Sequence, residues 1–161
     1  MLTREQLILL PAIKLRNLYS KIIKSKFLIT KWEPPIPSSI EELESLYKDK
    51  MEWREEKLDY IRPIENMNYQ LRYQDYMEGD CDDLATWIGY MLKRMNFKNV
   101  YRVNIAGHKH VICIYKLLQS YFYISNNRFN KQAYNSIDDT VIGWCIKSGK
   151  PYTKWYYVER L

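Results

Sequence analysis

The chain is 161 residues long, 47% hydrophobic, 27% charged and 15% aromatic, which suits one compact domain and excludes a disordered tail or a repeat array. Its 25 basic and 19 acidic residues give a formal charge of +6, and that excess sits in residues 1–32, where Arg4, Lys14, Arg16, Lys21, Lys24, Lys26 and Lys31 face only Glu5. The remainder balances at 18 against 18, whereas a nucleic-acid-binding domain spreads its positive potential over a folded face, so the core is not expected to bind nucleic acid.

Three cysteines at wide spacings, Cys81, Cys113 and Cys145, do not form the framework of a small secreted fold; free thiols and a reducing, cytoplasmic compartment are expected. The longest apolar run, Leu7 to Ile13, is too short to cross a bilayer and contains Pro11, so neither a membrane span nor a signal peptide is expected.

In chain order, Thr3 and Gln6 read as a capping box opening an amphipathic helix over roughly residues 3–26, bent near Pro11. Glu33-Pro34-Pro35-Ile36-Pro37 reads as an extended linker, which divides a basic helical arm and linker (1–37) from a core (38–161). Ser38 or Ser39 with Glu41 or Glu42 opens a second helix, and the stripe Ile40, Leu43, Tyr47, Met51, Leu58 and Ile61 carries it to a stop at Pro63. A third helix starts at Asp80 and runs to about Met95, with Leu84, Trp87, Ile88, Met91, Leu92 and Met95 on its core face.

The period then changes to two. Val100–Ile105, Lys109–Lys116 and Ser120–Asn126 alternate as strands, joined by the short loops 106–108 and 117–119 into an antiparallel meander. Ser136 with Asp139 caps a fourth helix to Ser148, stopped by Gly149 and Pro151, and Tyr152–Val158 reads as a last strand. The fold class is α+β, helices on one antiparallel sheet.

The chemistry concentrates in Gly79-Asp80-Cys81-Asp82-Asp83-Leu84-Ala85, which puts Cys81 in the first turn of a helix, where unpaired N–H groups and the helix dipole favour a thiolate. Asp80, Asp82 and Asp83 oppose that effect, so the thiol needs a base; Asp80 or Asp83 also serves as the cap. Of two histidines, His110 falls inside a strand and His108 in an exposed turn without a role.

With 117–119 as the loop, Lys116 faces Ser120, Ile114 faces Phe122, Ile112 faces Ile124 and His110 faces Asn126. Side chains so opposed have Cβ atoms about 4.5–5.5 Å apart, close enough for an amide to orient an imidazole, and a one-residue slip brings in Asn127 instead. Cys81, His110 and Asn126 then form a nucleophile, base and orienting residue. No cofactor and no metal is expected, because alternation places Cys113 on the opposite face from His110. Cys145 reads as core packing. One oxyanion donor is the Cys81 N–H; for the other, Gln70, Gln74 and Tyr76 are available, with Gln74 preferred.

The ordered set Gly79-Asp80-Cys81-Asp82-Asp83-Leu84-Ala85, Gly107-His108-Lys109-His110-Val111 and Ser125-Asn126-Asn127 resembles the transglutaminase-like cysteine peptidase superfamily over about residues 60–130, and in particular its small phage-encoded members. The resemblance implies a papain-like core with the nucleophile at a helix N-terminus and the other two triad members on adjacent strands. It makes Cys81 the nucleophile, His110 the base and Asn126 the orienting residue, where the family more often has aspartate. It implies a cysteine peptidase or amide hydrolase working through a thioester on a protein or peptide substrate. The alternative is a non-catalytic structural or adaptor component of a bacteriophage virion, assembling through residues 1–32.

Overall fold

The computed structural model describes residues 31–55 and 61–161. The expected helix over residues 3–26 and the assembly role of residues 1–32 therefore fall almost wholly outside the described residues.

Ile40–Lys50 forms α1, capped as its sequence requires: Ser39 Oγ accepts from the Glu42 N–H at 3.1 Å, and Glu42 returns the contact by accepting from Ser38 N and Oγ. Leu43 and Tyr47 on its inner face are fully buried. The expected continuation to Pro63 is corrected. α1 ends at Lys50, and Met51–Trp53 is a short strand, β1, parallel to β2 (Met77–Gly79), with Met51 opposite Met77. Pro63 does not stop a helix but occupies the N-cap of α2, Ile64–Gln74, an element the sequence reading missed. Proline fits there because a helix's first N–H groups have no intrahelical acceptor.

β2 leads through the cap Asp80 into α3, Cys81–Arg94, whose inner face buries Leu84, Trp87, Ile88, Met91 and Leu92. Five antiparallel strands follow in the order β6-β5-β4-β3-β7: β3 (Val100–Ile105), β4 (His110–Leu117), β5 (Ser120–Ser125), β6 (Arg128–Phe129) and β7 (Tyr156–Arg160). The last helix, α4, spans Ile137–Lys147 with Ser136 as its cap, and Gly149 takes the positive φ of 65° that ends it. The expected meander and α+β class match these elements; the last strand starts later than Tyr152, and β6 was not anticipated.

The sheet has helices on both faces. Val100, Val111, Cys113, Tyr115 and Ile124 pack with α1, α2 and α3, while Val103, Ile105, Ile112, Ile114 and Tyr123 pack with α4 through Val141, Trp144 and Cys145. This is the period-two alternation of half-buried strands realised on a sheet covered on both sides. The proline linker is docked as well: Pro34 and Pro37 are buried, and Arg94 near the end of α3 donates to the Pro34 carbonyl at 2.7 Å and pairs with Glu33 at 3.2 Å. No helix among the described residues is long and apolar enough to cross a membrane.

Candidate active site

Cys81 is the first residue of α3, half-buried against the α3-side core, and none of the three cysteines is in a disulfide. Asp80 supplies the cap, its side chain accepting from the Asp82 N–H at 3.2 Å. Asp83 is fully buried and does something else: it accepts from the Arg62 N–H and lies 3.7 Å from the Arg62 guanidinium. Arg62, itself buried, also donates to the Glu78 carbonyl at 2.7 Å and to Gln70 Oε1 at 3.3 Å. Gly79 is required by this arrangement, because a Cβ there would come within 2.7 Å of Asp83 Cβ.

The Gly79–Asp83 motif is therefore as much an anchor for α3 as a setting for the thiol. Gln70 belongs to that anchor. Gln74, the preferred second oxyanion donor, lies exposed in the last turn of α2, with no hydrogen bond that aims it at the thiol.

Burial pushes the Cys81 thiol up to about 12, and the carboxylates of Asp80 and Asp82 add to that rise; the backbone amides of Val111 and of Cys81 itself work the other way. The resting group is a neutral thiol. Val111 directly follows His110, so the backbone of β4 comes up against the sulfur.

The His110 ring leaves β4 on the other face. It stacks on Trp144 of α4, with centroids 4.9 Å apart and planes 12° apart, and its Nε2 lies 2.8 Å from Ser125 Oγ. Trp144 Nε1 donates to the same oxygen at 3.1 Å. Burial, with a smaller push from His108, lowers the His110 imidazole to about 4, so it too rests neutral. Among the described residues no hydrogen bond joins His110 to Cys81.

The register expected between β4 and β5 is corrected by one residue. Leu117 belongs to the strand and pairs with Ser120, Ile114 with Tyr123 and Cys113 with Ile124. The connection is then the two-residue turn Leu118-Gln119, the length antiparallel hairpins favour, and Leu118 takes a positive φ of 54° to make it. The slip moves Tyr121, Tyr123 and Ser125 onto the His110 face in place of the even-numbered residues. Asn126 instead opens the turn between β5 and β6 at φ 49°, and its Oδ1 is buried and accepts no hydrogen bond. Asn127 is exposed in the same turn.

The sequence thus places His110 on its strand, as found, but pairs it with a neighbour by a register that the turn overrides. The signal that pointed to Ser125 was the shorter loop. Trp144 was missed because nothing local in α4 ties it to β4.

His108 is corrected too. It is half-buried, its Nε2 lies 2.7 Å from the Pro151 carbonyl and its ring approaches Trp144, which pins the turn after β3 to the loop after α4. Cys113 lies on the face opposite His110, as alternation requires, and Cys145 is buried in the α4-side core.

Two adjoining clefts of about 360 and about 310 Å³ open between α4 and the β5–β6 hairpin. They share Ser125, Arg128, Trp144 and Ser148; His110 lines the first, and Lys131 and Lys147 line the second. A scan against protein-family models finds no match to this sequence, and neither does a search of curated proteins.

Proposed function

We propose that the protein is a transglutaminase-like cysteine peptidase or amide hydrolase, with Cys81 as nucleophile and His110 as general base, acting on a protein or peptide. The observation that carries this reading is a thiol on the first residue of a helix, set against the amide of Val111 next to the only strand-borne histidine. The bond from His110 Nε2 to Ser125 also supports it, since a tautomer donating its Nε2–H to the hydroxyl leaves Nδ1 bare to take a proton. In this reading the orienting role passes to Ser125, and Asn126 shapes the turn beside it.

The chemistry then starts from a neutral pair rather than a preformed thiolate and imidazolium. Nδ1 removes the thiol proton as sulfur attacks the carbonyl carbon; the C–N bond breaks as the imidazolium protonates the leaving amine, giving a thioester. Water, deprotonated by the same nitrogen, attacks the thioester; the C–S bond breaks, and a carboxylic acid and the thiol are released. Because the ring now rests on Trp144, the first step includes a rotation of the His110 side chain on substrate binding.

A second reading, a docking module of a phage particle that keeps the fold without the reaction, is favoured by the neutral thiol and by the positions of Cys81, packed against one face of the sheet, and of the His110 ring, stacked on Trp144 at the other. One experiment separates the two. Labelling by a thiol-directed acylating probe, read by mass spectrometry at near-neutral pH, is expected at Cys81, absent in Cys81→Ala and at least about tenfold slower in His110→Ala. A Cys81 rate indifferent to His110 removes the base and leaves the docking reading.

A further inference from the structure

We infer that the cleft between α4 and the β5–β6 hairpin is an acidic-peptide site, and that the substrate class of the proposed hydrolase is a peptide carrying carboxylates beside the bond it presents; the word substrate rests on that proposed activity. The core of the chain balances its charges, yet this cleft does not. Its two chambers hold Arg128, Lys131 and Lys147, and no Asp or Glu lines either one. Among the described residues Arg128 and Lys131 make no ion pair, while the Lys147 ammonium donates only to Asn130 Oδ1 at 3.0 Å.

The cations come from different elements: Arg128 opens β6, Lys131 follows it, and Lys147 lies in the last turn of α4. All three line the second chamber and Arg128 reaches the first as well, so the positive charge is gathered at the end of the cleft away from His110, with room for more than one carboxylate of an extended chain. Arg128 and Ser125 line both chambers and His110 lines only the first, so a chain lying along the cleft reaches the proposed base at one end. Serine, asparagine and indole groups along the walls offer donors and acceptors to its backbone. Cations in such a cleft raise the local concentration of an acidic chain and fix its direction.

The test uses the full chain with an N-acetylated tetraglutamate peptide, its tetralysine counterpart and inorganic phosphate. Binding is read from the indole N–H resonance of Trp144, assigned by its loss in Trp144→Phe, and cleavage is read separately on an acidic reporter peptide. Saturable binding of tetraglutamate is expected, weakening with salt and about tenfold weaker in the double variant Arg128→Glu, Lys147→Glu, whose sites are both exposed. Equal binding of tetralysine, no shift with tetraglutamate, or an unaltered affinity in the double variant overturns the cleft. Phosphate competing as well as the peptide overturns the extended-chain form. Binding without cleavage leaves the cleft standing and overturns the hydrolase reading, and substrate with it.

Discussion

On the α3 side of the sheet, buried guanidinium groups are paired: Arg62 with the buried Asp83, and Arg102 with the half-exposed Glu159 and the Thr86 hydroxyl. On the α4 side, the polar groups of His110, Ser125 and Trp144 form a neutral cluster at the wall of an open cleft, and the cations beyond it face solvent. The first arrangement fixes a helix in place, because removing either member of a buried pair strands the other. The second leaves groups that a ligand can engage. The two faces thus divide paired charge from open polar groups, and Cys81 lies on the anchored helix, against the strand that carries His110.

The largest effect expected on this contrast comes from Asp83→Ala, which removes the buried carboxylate beside the Arg62 guanidinium and the acceptor of the Arg62 N–H, leaving the Glu78 carboxylate 3.9 Å away. A loss of about 3–5 kcal/mol in denaturant unfolding is expected. A loss under about 1 kcal/mol would mean that the α3 face is not held by this pair.

Acid comes next. The folded chain holds His110 near 4, below its ordinary 6.5, so the unfolded chain binds this proton first as pH falls. Stability from this group is complete above pH 6.5 and is lost as pH drops toward 4, on the order of 2–3 kcal/mol. The difference between wild type and His110→Phe, followed by urea unfolding across that range, should isolate the slope. A difference independent of pH would place the ring in water rather than on Trp144.

The smallest effect is a gain. Leu118 is 88% exposed and holds a left-handed conformation in the hairpin turn that sets the His110 neighbour. Leu118→Gly should raise stability by about 0.5–1 kcal/mol, because the left-handed strain exceeds the entropy glycine adds to the unfolded chain. Destabilisation would mean that the turn is held by the leucine side chain.

That turn also marks where the sequence stopped being legible. Caps with a side-chain oxygen and a nearby carboxylate, at Ser39, Asp80 and Ser136, were readable because their partners are three residues away or fewer. The stripe of α3 and the alternation of β3 to β5 were readable for the same local reason. The register of β4 on β5 was not, since a leucine tolerates the left-handed turn only because flanking strands impose it, and no glycine announced the shorter loop. β1 was hidden because Met51 continues the helical spacing of Leu43 and Tyr47; only pairing with β2, some 26 residues away at Met77, makes Met51–Trp53 a strand. Of the candidate site, the thiol and imidazole were legible as residue types, while Ser125, Trp144 and the Arg62 anchor depend on contacts across elements.

The docked linker gives α3 a mechanical character. Its 14 residues make a strut about 21 Å long, with the thiol at one end and Arg94 gripping Glu33 and the Pro34 carbonyl at the other. A pull on the chain before the linker meets that grip first, and strains an ion pair and one hydrogen bond a full helix length from the sulfur. The Arg94 grip keeps such load away from the thiol end of the helix.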